Sequence, residues 1–370
     1  TIKNWIPYES KTKLEILNEL KQDNKDVFPN YIPRSSVRTE GFETPSNRIF
    51  PLGTISNSIT VFDNENGFYP IFKTDEYGFN NEKNLYDNDS LDILITGDSF
   101  AEGAAVNQSE TVQSRLNDRG FKTISLGKVS NGPLIQLASL REYAESLKPK
   151  IIFWFYFRND LSDLKFELNS DILNNYLADN NFSQNLMSKQ EIIDSVLTVY
   201  LTNEWDEVSG EMSNSLSWFS LRISNTFFLT QLRSRFNVLN NLIDDYDLNS
   251  DPKFESYSNA NYENVLRSAK STVAKWGGKL FFVYLPSYEE VRSRTKHPKK
   301  KFIINLLNKL DIQIIDFYDQ GLSKMLDPLS CFPHPKGFHY NVKGYLELTK
   351  ILESNIIFNE AQTLGPNLNK

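Results

Sequence analysis

Five short apolar runs stand out along the chain, and each is rich in β-branched or aromatic residues. They span residues 92–96, 122–126, 151–157, 279–285 and 312–317. Their apolar positions are nearly continuous rather than alternating, which is typical of strands in a parallel sheet that is covered on both faces. The pattern therefore predicts five buried strands.

Helical patterns separate these runs. Apolar positions spaced by three and four predict helices over 110–119, 134–147, 262–276 and 345–357, and the first of these ends at Gly120, a residue favoured just after a helix. Alternation of strands and helices is typical of a doubly wound α/β fold. We therefore expect an α/β core formed by residues 86–160 and 259–358.

Two segments interrupt this alternation. Residues 1–85 contain an early helical pattern at 10–22 and then short stretches rich in Pro, Gly, Asn and aromatic residues, which predict an N-terminal extension with short β structure. Residues 75–81 are expected to form a turn that packs this extension onto the sheet. Residues 161–258 predict a mainly helical insertion, because connections in α/β units usually have about two to six residues.

Composition and charge narrow the function. A chain of 370 residues with 39% hydrophobic and 13% aromatic residues is globular in composition. Its net charge of −7 argues against nucleic acid as a partner, because phosphate contacts need clustered Lys and Arg. One cysteine and three dispersed histidines show no metal-ligand spacing, and no Gly-rich phosphate loop follows a strand. We expect neither a metal nor another cofactor.

The sequence has no apolar run of the roughly 20 residues that a membrane-spanning helix needs. The chain begins at Thr1, and a signal peptide or anchor upstream of it would be compatible with that start. We therefore expect an extracytoplasmic or membrane-associated protein rather than a cytoplasmic one, with any membrane association made through a segment absent from this chain.

A nucleophile candidate follows the first predicted strand. Gly97-Asp98-Ser99-Phe100 enters a turn and then a helical segment. Ligands of open parallel sheets bind outside the carboxyl ends of the strands, so Ser99 is expected at the reactive edge. The alternative is that Ser99 only caps a helix.

A matching base candidate follows the last predicted strand. The chain has only three histidines, and His339 lies directly before the final helical pattern, where it can reach Ser99. Imidazole has the pKa to take the serine proton and return it to a leaving group. The alternative is a capping histidine in a structural loop.

Four sequence blocks together resemble the SGNH/GDSL hydrolase superfamily. They are Gly97-Asp98-Ser99-Phe100, the segment 126–132, Asn159-Asp160, and His339 with Asn341 and Gly344. Their order along the chain is that of the family. The resemblance implies a flavodoxin-like three-layer sandwich with a five-stranded parallel sheet, and a serine-dependent esterase or acyl transferase acting on a small-molecule or glycan ester.

The resemblance also implies roles for individual residues. Ser99 would be the nucleophile, His339 the base, and the side-chain amide of Asn159 an oxyanion donor beside the backbone N–H groups of Ser99 and Ser130. The resemblance also implies oxyanion or substrate contacts for three further residues, Asp98, Asn131 and Gly132. His334 either touches substrate or shapes the loop before His339.

Three of the four blocks depart from the family pattern. Ser130 stands where the family has glycine, Phe157 and Arg158 stand where it has a glycine before the Asn-Asp pair, and Lys336 occupies the place of the acid that orients the histidine. Asp327 is the leading substitute for that acid and Asp316 the second, and a backbone carbonyl is a third way to orient the ring.

Two main functions follow from these observations, beside a third interpretation as a short-chain lipid esterase. The first is an ester hydrolase that removes or transfers O-acyl groups, acetyl in particular, on a carbohydrate. The second is a catalytically degenerate SGNH protein that binds a glycan or a protein partner, which Lys336 favours because lysine cannot orient an imidazolium.

Overall fold

The computed structural model describes residues 11–45, 47–86, 91–214, 252–333 and 338–363, together with Glu9. Its strands are β1 (Phe42–Glu43), β2 (Arg48–Ile49), β3 (Ile59–Val61), β4 (Ile71–Lys73), β5 (Ile93–Thr96), β6 (Thr123–Ser125), β7 (Ile151–Tyr156), β8 (Lys279–Tyr284) and β9 (Gln313–Asp316). Its α-helices are α1 (Lys13–Asp23), α2 (Ser99–Glu102), α3 (Val112–Asp118), α4 (Pro133–Ser139), α5 (Glu145–Leu147), α6 (Asp160–Glu167), α7 (Asp171–Ala178), α8 (Gln190–Asn214), α9 (Pro252–Ala274), α10 (Tyr288–Ser293), α11 (Lys300–Leu310), α12 (Phe317–Gln320) and α13 (Val342–Thr363). Short 3₁₀ helices cover Pro33–Ser36, Gln108–Glu110, Leu186–Lys189, Leu322–Lys324 and Pro328–Cys331.

The central sheet has five strands in the order β6-β5-β7-β8-β9. Every neighbouring pair in it is parallel. All five strands predicted from the apolar runs are present, with bounds one or two residues shorter than the runs. The predicted α/β class and the five-stranded parallel sheet are confirmed.

Side chains of the sheet alternate between two cores. Ile95, Phe153 and Phe155 face the side that holds α2, α3 and α13, whereas Leu94 and Trp154 face the side that holds α4, α6 and α9. Because each face buries its own apolar set, neither β-branched nor aromatic residues need to alternate with polar ones. The result is the predicted three-layer sandwich.

The predicted helices are present with shifted ends. The early helix starts at Thr12, whose hydroxyl accepts the N–H of Glu15 while the Glu15 carboxylate accepts the N–H of Thr12, a reciprocal cap. The helix expected over 134–147 is divided by a π-helical segment at Leu140–Ala144. The last helix, α13, begins three residues after His339.

The N-terminal extension forms two small antiparallel hairpins, β1–β2 and β3–β4. It is tied to the edge of the central sheet by Asn81, whose side chain accepts the N–H of Ser125 at 2.7 Å and donates to the carbonyl of Ser125 at 2.9 Å. These two bonds occupy backbone groups on the side of β6 that faces away from β5. The turn at 75–81 therefore packs the extension onto the sheet, as the sequence indicates.

Much of the predicted insertion is helical where the structure describes it. The long helix α8 contacts the N-terminal extension, because Trp205 donates to Asn18 at 3.1 Å and the Asp194 carboxylate accepts both the N–H and the hydroxyl of Ser56. Residues 215–251 of the insertion lie outside the described part, so the domain bounds stay a prediction. Among the described helices, none combines the length and apolarity that crossing a bilayer requires.

Candidate active site

Ser99 is placed by a sharp turn at the end of β5. The strand ends at Thr96, Gly97 makes the bend, and the Asp98 side chain caps α2 by accepting the N–H of Phe100 at 3.0 Å. A Cβ on Gly97 would lie 2.8 Å from the Cβ of Phe155 and 2.9 Å from that of Ala101, so only glycine fits there. Ser99 therefore opens a helix at the carboxyl edge of the sheet, where the sequence predicts it.

His339 reaches Ser99 from the other end of the chain. Its Nε2 atom lies 2.7 Å from the Ser99 hydroxyl oxygen, although 240 residues separate the two. The imidazole is flanked by the rings of Phe100 and Phe338, with centroid distances of 4.9 and 5.2 Å. These contacts restrict the tilt of the ring and leave its two nitrogens to polar partners.

A carboxylate occupies the opposite side of the imidazole, and it belongs to Glu65. Its Oε1 atom lies 2.7 Å from Nδ1 of His339, while Oε2 accepts the backbone N–H groups of His339 at 3.1 Å and Phe338 at 3.2 Å. Three hydrogen bonds thus fix the carboxylate against one short segment. Ser99, His339 and Glu65 form a continuous hydrogen-bonded chain of the kind seen in serine triads.

Glu65 comes from the loop that joins β3 to β4 in the N-terminal extension, here called the acid loop (residues 62–70). Asn66 holds this loop to the core by donating to the carbonyl of Ala105 at 2.5 Å, and Lys13 pairs with Asp63 at 3.0 Å. Within the loop, Asn64 accepts the N–H of Gly67 at 2.8 Å. The carboxylate at Nδ1 therefore belongs to the N-terminal extension, which packs against the core, and not to the loop that carries His339.

His339 and Glu65 each stabilise the charged form of the other. Burial favours the neutral imidazole, but attraction and hydrogen bonding to the Glu65 carboxylate outweigh burial and raise the pKa of His339 above its ordinary 6.5. Burial likewise favours the protonated form of Glu65, yet His339 and the backbone donors lower its pKa below 4.5. When the imidazole is neutral, the Glu65 carboxylate holds its proton on Nδ1, which leaves Nε2 to accept from Ser99.

The predictions for the orienting acid were wrong. Asp327 has an exposed side chain, and Glu65 occupies the place at Nδ1 that we expected it to fill. Asp316 is committed elsewhere: its carboxylate pairs with Lys300 at 2.5 Å and caps α12 by accepting two backbone N–H groups. His334 and Lys336 lie outside the described residues.

The turn after β6, which carries Ser130, packs against α2, the helix that Ser99 opens. Its φ angle of +62° lies in the left-handed region, which explains why glycine suits this position. Among the described residues, the structure shows no hydrogen-bond partner for the backbone N–H groups of Ser99 or Ser130. The use of these two N–H groups as oxyanion donors stays a prediction.

Asn131 and Gly132 have other environments. The Asn131 side chain is fully buried, and within the described part of the chain neither its oxygen nor its nitrogen has a partner. The N–H of Gly132 donates at 2.6 Å to the carboxylate of Glu167, so it is unavailable as an oxyanion donor. The two residues shape the turn next to Ser130.

Asn159 follows β7 at the same sheet edge. Its amide nitrogen donates to Oδ2 of Asp163 at 2.6 Å, and Arg34 from the extension holds the other oxygen of that carboxylate. The Asn159 side chain also bonds to Asp98, whose pKa burial raises to about 6 despite this bond and despite His339 nearby. In this state the amide serves two carboxylates rather than an open donor position.

Sequence reasoning missed Glu65 entirely. The only available signal was indirect, since Lys336 at the family's acid position showed that another group must orient the ring. Within the described residues, no cluster of three or more His, Cys, Asp or Glu side chains has the arrangement to hold a metal ion.

Searches against family models and against curated proteins gave no match. Among solved structures, the chain is similar to a lipase/acylhydrolase from Enterococcus faecalis, at 11% identity and a TM-score of 0.38, covering 72% of this chain and 95% of that one. It is also similar to a GDSL-like lipase from Bacteroides thetaiotaomicron, at 11% identity and a TM-score of 0.34 over 72% and 88%. An acetyl xylan esterase has 10% identity and a TM-score of 0.36 over 72% and 100%.

Proposed function

We propose that this protein is a serine-dependent carboxylic-ester hydrolase. The observation that carries the proposal is the hydrogen-bonded chain in which His339 lies 2.7 Å from both the Ser99 hydroxyl and the Glu65 carboxylate. In such a chain the base is held in the tautomer that accepts the serine proton, and the imidazolium that forms is stabilised by the carboxylate. A purely structural capping role for Ser99 or His339 does not require this alignment.

The reaction would run in two halves. The Ser99 oxygen attacks the ester carbonyl while its proton passes to Nε2 of His339, which gives a tetrahedral oxyanion. Collapse of this intermediate breaks the bond to the alcohol, and His339 returns the proton to the departing oxygen. An acceptor hydroxyl, from water or from a sugar, then repeats these steps on the acyl-serine and frees the serine.

The developing oxyanion needs donors close to Ser99. The backbone N–H groups of Ser99 and Ser130 are the proposed pair, and one well-placed donor is worth about 10²–10³ in rate. Asn159 remains a third donor in the proposal only if its amide exchanges a carboxylate partner for the ligand oxygen.

The non-catalytic alternative depends on a missing acid. That argument rested on Lys336, and Glu65 now supplies a carboxylate at Nδ1 from a different part of the chain. A protein that only binds a glycan would have no need for a buried carboxylate held by three hydrogen bonds to the histidine segment. The alignment therefore favours the hydrolase over the binding protein.

At the finer level, we propose O-acyl groups on a carbohydrate as the substrates, acetyl in particular, with hydrolysis or transfer decided by the acceptor. This substrate class rests on the resemblance of the four sequence blocks. A short-chain lipid esterase is the competing substrate class.

The test compares the parent protein with Ser99→Ala on three esters: p-nitrophenyl acetate, p-nitrophenyl butyrate and an acetylated xylo-oligosaccharide. Turnover of any of these by the parent, lost in Ser99→Ala, supports the hydrolase. Preference for the acetylated sugar supports the carbohydrate proposal, whereas preference for butyrate supports the lipid esterase. Transfer of acetyl to an added oligosaccharide distinguishes a transferase. If the parent turns over none of them, the proposed function is wrong.

A further inference from the structure

A buried ion pair lies between α2 and the turn after β6. Glu102 is the last residue of α2, the helix that Ser99 opens, and Lys128 lies in the turn that carries Ser130. Both side chains have no solvent exposure, and the Lys128 amine pairs with Oε1 of Glu102. The pair therefore joins the element that carries the nucleophile to the turn that carries a proposed oxyanion donor.

Further hydrogen bonds support this pair. The Oε1 atom of Glu102 also accepts from the Asn30 amide at 3.0 Å, and the Lys128 amine donates to the Asn30 carbonyl oxygen at 2.5 Å. The Oε2 atom accepts the backbone N–H of Val129 at 2.6 Å. One carboxylate thus holds the side chain of residue 128 and the backbone of residue 129, directly before Ser130.

The turn and the helix are also in direct contact. A Cβ on Gly127 would lie 2.4 Å from the Cβ of Ala101 and 2.5 Å from the nitrogen of Glu102, and the Ser125 hydroxyl donates to the carbonyl of Ala101 at 2.7 Å. Because the turn and α2 are this close, the Glu102 side chain can reach the backbone of the turn. The same closeness also means that a shift of the turn relative to α2 is resisted at several points.

Burying two charges gives little net stability, because the cost of removing them from water offsets their attraction. The pair instead fixes the position of the turn relative to α2. The hydrogen bond from the Val129 N–H to the Glu102 carboxylate is short because it is charge-assisted. Oxyanion donors act only within about 2.7–3.1 Å of the developing charge, and a misplacement of about 1 Å can cost about a hundredfold in rate.

We propose that Glu102 is a positioning residue for the oxyanion site, which holds the N–H of Ser130 at a fixed distance from that of Ser99 through its bond to the Val129 N–H. The inference rests on the proposed function, because it assigns Glu102 to the same reaction. Glu102 itself touches neither the substrate nor the reacting atoms.

The experiment compares two double variants that both remove the ion pair. In Glu102→Gln with Lys128→Met, the amide oxygen can still accept the Val129 N–H. In Glu102→Met with Lys128→Met, a side chain of similar length has no acceptor. We expect kcat on p-nitrophenyl acetate to be about tenfold to hundredfold lower in the Met–Met variant than in the Gln–Met variant, with KM values within about threefold of each other.

A remote buried pair serves as the matched control. Lys300→Met with Asp316→Asn removes an ion pair of 2.5 Å at the far edge of the sheet. We expect this variant to leave kcat unchanged and to alter the free energy of unfolding only slightly. Free energies of unfolding for all variants separate general destabilisation from the effect on turnover.

The outcomes are distinct. Equal kcat values in the Gln–Met and Met–Met variants, with an active parent, overturn the positioning role and leave the proposed function intact. A parent that neither turns over esters nor reacts with a fluorophosphonate at Ser99 overturns the proposed function and this inference with it. If the Met–Met variant does not fold, the Val129 amide proton of the parent decides: a strong downfield NMR shift with slow exchange supports the bond, and an ordinary shift with rapid exchange refutes it.

Discussion

The strongest test of the triad is the change Glu65→Gln. The amide oxygen of glutamine can replace one carboxylate oxygen and keep the bonds from the backbone of Phe338 and His339, so the acid loop has reason to stay docked. The group that faces Nδ1 then loses its charge, and its NH₂ end, if turned to the ring, favours the tautomer with the proton on Nε2. That tautomer cannot accept the proton of Ser99.

The size of the effect follows from that loss. Removing the charge of a triad acid costs about 10⁴ in turnover, which is about 5 kcal/mol of transition-state stabilisation. We expect Glu65→Gln to lower kcat on p-nitrophenyl acetate by about that factor at pH 8, with a small change in KM because substrate binding does not use the carboxylate. Turnover is normalised by the fraction of folded protein from near-UV circular dichroism.

Two substitutions serve as controls for this prediction. Asp63→Asn removes the same charge two residues away, where the carboxylate pairs with Lys13 rather than with the ring. Asp327→Asn tests the exposed residue that the sequence favoured. Both should keep kcat within about fivefold, as expected of charges that do not touch the imidazole. A Glu65→Gln protein within tenfold of the parent would refute the role of Glu65.

Three further predictions follow from the same geometry. The base must be neutral and the pKa of His339 is raised, so the acidic limb of the pH profile of kcat/KM should have its midpoint above pH 6.5. A midpoint below that value would contradict the contact of Glu65 with the ring. The raised pKa of His339 contributes stability that is present below pH 6.5 and is lost as the pH rises through the pKa of the folded state. The lowered pKa of Glu65 contributes stability that is present above pH 4.5 and is lost as the pH falls. Urea unfolding should therefore show a larger loss of stability for Glu65→Gln at pH 5.5 than at pH 9, and equal losses would count against the ion pair. At Ser130 the φ of +62° strains a β-branched side chain. We therefore expect Ser130→Val to lower kcat/KM about tenfold or more, and Ser130→Gly to stay within about threefold of the parent. A fully active valine variant would exclude the backbone N–H of this turn as a donor.

The elements with local signals were predictable from sequence. The strand β7 is a continuous apolar run, and both Ser99 and His339 lie directly beside elements that the patterns define. For that reason their meeting at one sheet edge follows from the topology of a parallel sheet. Their positions needed no knowledge of the extension.

Glu65 had no such signal. It lies 274 residues before its partner, in a short loop whose place against the core depends on tertiary contacts such as that of Asn66 with Ala105. Asp327 and Asp316 lie near His339 in sequence, and for that reason the sequence favours them over a residue of the extension. The engagement of Asn159 with Asp163 is different, because carboxylate and amide four residues apart at the start of a helix lie on one face. The spacing alone did not distinguish that contact from the oxyanion role expected of Asn159.

The central claim is that Ser99 is a nucleophile activated by His339. It is tested most directly by treating the intact protein with a fluorophosphonate and locating the adduct by mass spectrometry of its peptides. The account predicts a single phosphonyl group on Ser99, formed rapidly in the parent and at a much lower rate in His339→Ala. An unlabelled Ser99, or labelling that is equally fast without the imidazole, would contradict it.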